Sequence, residues 1–470
     1  MLALSLAACG SQLDPDTVAQ VNGSAVDGGG QAVAAGGAAG SGPDGSVPGA
    51  AGGTDGGAGS TAGGTTGTTG GSGSGGGSGT QGTGANAATG ATKAGSCDGF
   101  KNQTGITDKT IVIGNSSDVS GPVPGLFEAS QDAVRAYVAY FNATSDICGR
   151  KLELKTYDSR TDAAADQQAY TQACDDTFAM VGSMSAFDSG GAGTAQGCGL
   201  PDLRSASVTA DRQACTTCFG AQSTQADEFQ NAVPDFVKKN HPDAAAHAAM
   251  LYINAGAAAE NGKTQVTAME KRGMHFDYVQ GIDISEFNYA PYVQQMKDKG
   301  VEYVQMIGAT AQFVRLAQAM QQQGFHPEVF MLDPTAYTRD FVQSGGDAVE
   351  GATLFINFTP FEEASSNKEL QLYLSWLQQV KPGAEPSFFG LFSWSAARLF
   401  VERATALGGK LTRASLIADL RKVDNWTANG MHSPQHVGPH HTGECWRFIS
   451  LQHGRWVPVG GTKYSCSGTS

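Results

Sequence analysis

From residue 110 the chain alternates between two kinds of pattern. Residues 110–114 (TIVIG) form an uncharged, β-branched run, which predicts a strand buried on both faces. Residues 115–125 then bring Asn, Ser, Asp, Gly and Pro, the residues of turns and exposed backbone amides. From Glu128 onward Ala133, Val134, Tyr137, Val138 and Phe141 recur every three or four positions, which predicts an amphipathic helix. Strand, small-residue loop and helix make the opening unit of an α/β sheet, and ligands of such sheets bind at the carboxyl ends of the strands. The loop offers Ser116, Ser117, Asp118 and Ser120 beside the helix N-terminus, although ordinary turn capping accounts for them equally well.

The alternation continues. Strands are predicted at 151–157 and 178–182, with a helix at 162–177 between them. The third strand, 178–182, opens into a small polar loop, 183–191, and a short strand at 203–207 ends in hydroxyl-bearing residues. A second block follows, with helices at 228–239, 262–272, 289–299 and 312–323. Its strands are predicted at 248–254, 274–282, 301–307, 328–332 and 351–358. Helices at 367–380, 388–407 and 412–421 close the fold, and a hairpin joins 444–451 to 455–459. Strict alternation in two blocks predicts an α/β protein of two doubly wound lobes with parallel sheets.

Composition changes the picture at the N-terminus. Of the 470 residues 64 are Gly, and they crowd into 28–95 among Ser, Thr and Ala. Such a segment buries too little surface to offset its ordering entropy, so 10–96 is expected to be a disordered linker with an rms reach of roughly 50 Å. The folded domain is expected over 97–466. Residues 2–8 are apolar and lead into Leu6-Ala7-Ala8-Cys9-Gly10, which resembles a bacterial lipobox with Cys9 as the lipidated residue. The positive segment that precedes such a stretch is missing, which leaves a start further upstream or a chance match. The reading is a signal segment over 1–9, a lipid anchor on an extracytoplasmic membrane face, and a linker that gives the domain reach.

A formal charge of −14 and the lack of a Lys/Arg stripe argue against nucleic acid as a partner. No run of ~18 apolar residues predicts a spanning helix. Apart from Cys9, eight cysteines remain: Cys97, Cys148, Cys174, Cys198, Cys215, Cys218, Cys445 and Cys466. An even set in an exported chain predicts disulfides. Of the possible pairings we expect Cys445–Cys466 across the hairpin, Cys174–Cys198 around one strand–helix unit, Cys215–Cys218 locally, and Cys97–Cys148. Cys215 and Cys218 also have half a zinc site's spacing, but no second pair follows. In the His-rich stretch 431–441, Pro434 separates His432 from His436, so solvent-exposed imidazoles in a Pro/Gly loop are expected rather than a metal site. Asn142 and Asn425 stand in glycosylation sequons, which carry no consequence if the chain is the bacterial lipoprotein that the lipobox resemblance implies. No G-x-S-x-G elbow and no placed acid/base pair point to an enzyme. No cofactor is implied.

Several stretches, in order, resemble one family: IVIG, SGPVPG and ASQDAVRAYVAYFN; CGRKLELKTYDSRTDAAADQQA; FAMVGSMSA; GIDISEFNYAPYVQQMKDKGVEYVQMIG; and QAMQQQGFHPEVFML. Over about 108–459 the chain resembles the type I periplasmic solute-binding proteins of ABC importers, in the leucine/isoleucine/valine-binding group. The resemblance implies a hinged clamshell, with one lobe of about 97–225 and 360–435 and the other of about 226–359 and 436–466. It implies a monomer that captures a small molecule between the lobes for an importer permease. A sensing module working with a separate membrane partner is the alternative.

The same resemblance implies the site. Relatives hold an α-carboxylate after the third and fourth strands, where this chain has Ser183, Ser185 and Ala186, then Ala206, Ser207, Val208 and Thr209. Relatives place a Tyr-Gly pair after the second lobe's first strand, but residues 254–259 here read NAGAAA. Asp333 is the nearest equivalent of the acid that meets an α-ammonium, about one position off. The expected contacts are Ser120, Ser183, Ser185, Ser207 and Thr209 as donors, Asp333 as acceptor, and Phe127, Tyr337 or Trp394 as walls. The expected solute is small and polar, amino-acid-like or carboxylate-bearing, with a branched-chain amino acid not favoured.

Overall fold

Short strands, buried over most of their length, set the architecture. The structure is a computed structural model that describes residues 93–470. The expectations placed on residues 1–92, Cys9 and most of the linker included, lie outside the described residues. The first sheet comprises Thr110–Ser117 (β1), Lys151–Asp158 (β2), Ala179–Val181 (β3), Asp202–Ala206 (β4) and Cys218–Gln222 (β5), all parallel, in the order β2-β1-β3-β4-β5. β1 is buried from its second residue onward, as its uncharged β-branched run requires, whereas β2 alternates because it is an edge.

The second sheet repeats the plan. Ala248–Ile253 (β6), Phe276–Ile282 (β7), Tyr303–Ile307 (β8), Val329–Leu332 (β9) and Thr353–Ile356 (β10) are parallel, and Cys445–Gln452 (β11) and Arg455–Val459 (β12) add an antiparallel hairpin. The order is β12-β11-β10-β9-β8-β6-β7, with Ser465–Cys466 (β13) paired to β11. Each sheet reverses its winding once, between β1 and β3 and between β6 and β8, which is where an open parallel sheet leaves a crevice.

The lobes are not contiguous in sequence. The Phe388–Leu407 helix, whose buried face is mainly apolar, packs against the Glu128–Thr144 helix and against β4. The first sheet is thus covered by residues that follow the second sheet's last parallel strand. The chain passes between the lobes through 223–231, 357–367 and 421–444, and these segments bond to each other. Ser223 N donates to Gln435 Oε1 (3.0 Å), Gly443 N to Ser223 O (3.2 Å) and Ser433 N to Asn357 O (2.7 Å).

The disulfides are Cys97–Cys148, Cys174–Cys198, Cys215–Cys218 and Cys445–Cys466, the expected pairs. Cys215 and Cys218 are therefore bonded to each other and not held as thiolates for a metal. Three expectations need correction. β5 was not anticipated, because CFGAQ is short, carries a Gly and follows a motif that reads as a local bridge. Gly95 and Ser96 belong to the folded part and not to the linker: Gly95 N donates to Thr405 O and Gly409 N to Ser96 O. His432 is only 2% exposed, because its ring is drawn into the core between Ser395 and the stacked ring of Phe392.

Candidate ligand-binding site

The loops after the strands of both sheets converge on one cavity of about 230 Å³. The first lobe supplies Phe127, Met184, Ala186, Val208 and Gln222; the second supplies Ile253, Ala257, Ile284, Ile307 and Asp333. Phe355, Phe388, Phe389 and Trp446 contribute aromatic surface. Phe127 and Phe389 meet edge to face at 4.6 Å, and Phe388 stands 4.9 Å from Phe389. The polar wall combines amides, from Gln222, Gln225, Gln230, Asn261, Gln265 and Gln312, with the threonines Thr161, Thr224, Thr264, Thr335 and Thr442. The ionisable residues lining it are both acids, Glu228 and Asp333.

The two lobes touch at the cavity rim. Ala257 N donates to Ala186 O (2.9 Å) and Ala210 N to Glu260 Oε2 (2.9 Å). Gly256, at a φ of +50°, makes the approach possible, since a Cβ there would stand 2.4 Å from Ala186 O. The lobes are therefore in contact across one rim of the cleft.

Of the expected contacts, Phe127 and Asp333 line this cavity and the others do not. Asp333 caps the short turn after β9, accepting from Thr335 N (2.8 Å). Burial pushes its carboxyl up to about 6, against the lowering effect of the Thr335 bonds. Trp394 lies in the first lobe's core among Tyr137, Tyr140 and Tyr373, its Nε1 donating to Glu369 (2.7 Å). Tyr337 is held by Glu362 and by Phe361 N in a crossover segment. The aromatic wall is built instead from the residues named above.

Four of the five hydroxyls are likewise spent within the protein. Ser183 Oγ accepts from Ser116 N (3.1 Å), and Ser185 Oγ donates to Asp118 Oδ1 (3.0 Å). Thr209 caps the Ala210–Ala214 helix and donates to Asp188, and Ser120 donates to Asp158 from an exposed loop. Ser207 Oγ is buried without a partner, behind the cavity-lining Val208. Spacing located these loops but could not tell a donor aimed at solvent from one taken by a neighbouring carboxylate.

Behind the first lobe's wall lies a fully buried charge network. Arg212 bonds Asp166 (2.8 Å) and Asp202 (2.9 Å), while Arg204 approaches Asp202 (3.5 Å) and Asp188 (3.6 Å). Asp188 in turn accepts from Val208 N (3.0 Å) and Thr209 N (3.1 Å), so the network fixes the loops after β3 and β4 against each other. Ion pairs this deep hold their elements in register because breaking one strands a charge.

A cavity shared by two doubly wound lobes finds its counterpart in known proteins. The sequence matches the family described as "Periplasmic binding protein" over residues 110–455. The chain belongs to that family. Its members are non-enzymatic, extracytoplasmic proteins that bind small molecules and deliver them to ABC transporters. A fatty acid ABC transporter substrate-binding protein from Thermomonospora curvata is 18% identical, with a TM-score of 0.67 over 79% of this chain and 96% of that one. A leucine-binding protein from Thermotoga maritima is 14% identical, with a TM-score of 0.65 over 75% and 98%. A solute-binding protein from R. palustris, in complex with 4-hydroxybenzoate, is 18% identical, with a TM-score of 0.64 over 77% and 98%. At these identities the likeness is one of fold. No curated protein matches the chain. Among the described residues no helix is long and apolar enough to cross a membrane.

Proposed function

We propose that the protein is a lipid-anchored solute-binding protein that captures a small molecule between its lobes and hands it to an ABC importer. The observation that carries the reading is the cavity itself, lined from both lobes and bridged at Ala186 and Ala257. Its volume of about 230 Å³ lies below the ~300–1,000 Å³ of pockets for drug-sized ligands, so the solute is small. The aromatic and aliphatic wall supports a solute with an apolar body. The neighbours whose names mention leucine, fatty acid or 4-hydroxybenzoate share that trait.

A thermal-shift screen over amino acids, amides, short-chain acids and aromatic acids tests the reading. A true ligand at about 100 times its Kd stabilises by about 2.7 kcal/mol. Ala258→Trp, which fills the cavity, should remove that shift. A shift that survives the substitution would place binding elsewhere. The anchor is tested separately. Cys9→Ser should release the protein into the soluble exported fraction, and unchanged membrane association would end that part of the proposal.

A further inference from the structure

We infer that Asp118 occupies, as a fixed internal anion, the hydrogen-bond donors at the first lobe's end of the cavity, so that the cavity takes uncharged, mainly apolar solutes and rejects carboxylates. The inference rests on reading the cavity as the capture site and names the class of solute. Asp118 is fully buried just past the end of β1. Its Oδ1 accepts from Ser159 Oγ (2.6 Å), Thr161 N (2.9 Å) and Ser185 Oγ (3.0 Å), and its Oδ2 accepts from Ala186 N (2.8 Å). Thr161 and Ala186 are wall residues, as is Phe127, whose N–H donates to Asp118 O (2.9 Å). Two hydroxyls and two amides from the loops after β2 and β3 thus surround a carboxylate that the protein itself provides.

The same holds one strand further on, where Asp188 takes the Val208 and Thr209 amides and the Thr209 hydroxyl. Asp188 has Arg204 beside it, whereas Asp118 has no ion-pair partner among the described residues. A solute carboxylate would find these donors taken and Asp118 close behind the wall. It would also face Asp333 and Glu228, the latter 3.2 Å from His441 Nδ1, with no Lys, Arg or His lining the cavity among the described residues. Like charges in a partly buried site repel strongly, and an anion stripped of water needs donors to replace it. What the wall leaves free is neutral. Gln230 is fully buried, and its Oε1 accepts from Val233 N (3.0 Å), which fixes the amide's orientation. Its Nε2 has no partner among the described residues.

The test begins with a measurement that needs no knowledge of the solute. Asp118→Ala empties the nest, and sodium acetate or formate should then refill it. Against sodium chloride at equal ionic strength, either anion should raise the variant's melting midpoint by a few degrees and leave the wild type unmoved. Equal responses of variant and wild type would overturn the inference. If Asp118→Ala does not fold, Asp118→Ser, which keeps a polar group in place, is put through the same comparison. The second measurement uses matched probes, 4-hydroxybenzoate with 4-hydroxybenzamide and hexanoate with hexanamide, titrated calorimetrically. The wild type should prefer the amide by on the order of tenfold or more, and Asp118→Asn should narrow that preference. Tighter binding of the acids, abolished by Ala258→Trp, would overturn the inference while leaving capture intact. Probe binding unaffected by Ala258→Trp would instead overturn capture, while the acetate measurement still decides the occupancy of the nest.

Discussion

His432 shows what a single buried ring does to stability. Its Nδ1 faces Ser433 O (2.8 Å), a group that only accepts, so the hydrogen sits on Nδ1. Its Nε2 then accepts from Ser395 Oγ (2.8 Å), which in turn accepts from Trp426 Nε1 (2.8 Å). No place remains for a second proton, and burial pushes the ring's pKa down to about 4. In the unfolded chain it titrates near 6.5. Between these values the unfolded chain binds a proton that the folded one does not. The stabilising contribution is therefore complete above about 6.5 and lost as the pH falls through the window, about 2 kcal/mol of it by pH 5. Urea unfolding at pH 7 and 5 should show this loss in the wild type and a shallower one in His432→Gln. Asp333 acts in the opposite sense. Its raised pKa favours the fold below about 4, and that contribution fades as the pH rises through about 6. Asp333→Asn should accordingly steepen the acid loss. The sequence showed the imidazole but not its burial, because the residues that enclose it, Phe392 and Ser395, stand far from it along the chain.

At the scale of elements, the strand–loop–helix units were legible and the site inside them was not. The Phe388–Leu407 helix and β12 coincide with the bounds their apolar periodicity predicts, because long amphipathic runs leave little freedom. Loop function depends instead on partners that no local pattern reveals. Ser185 reads as a free donor until Asp118 is seen beside it. One signal did stand in the sequence. The aromatic-free NAGAAA run at 254–259 marked a small-residue surface, and it forms part of the wall and of the contact between lobes. The Cys174–Cys198 bridge ties the Ala163–Asp176 helix to the end of the Ser189–Gly197 helix, which follows the loop carrying Ser185 and Ala186. Its closed loop of 24 residues predicts a loss of about 3 kcal/mol in the Cys174→Ser, Cys198→Ser double variant. Denaturant unfolding of that variant under otherwise identical conditions checks the figure.

At the scale of the whole molecule, closure depends on a missing side chain. Gly256→Val would drive two methyl groups toward Ala186 O and force a β-branched residue to a φ of +50°. The lobes should then stay apart. In small-angle scattering the variant should keep a larger radius of gyration than the wild type at saturating ligand, and its affinity should fall by roughly tenfold or more. A variant as compact as the wild type would mean that the rim contact does not hold the lobes shut. The crossings between lobes carry a further consequence, one for how the chain reaches this state. The first sheet is complete at Gln222, yet the helix that covers it begins at Phe388. The second sheet waits for β11 and β12, near the very end. Neither half can bury its core from a partial chain, so a growing polypeptide meets no cooperative stopping point until about residue 459 has been made. Such a chain would stay unfolded through most of its synthesis, the form in which a protein of an extracytoplasmic family can be carried across a membrane.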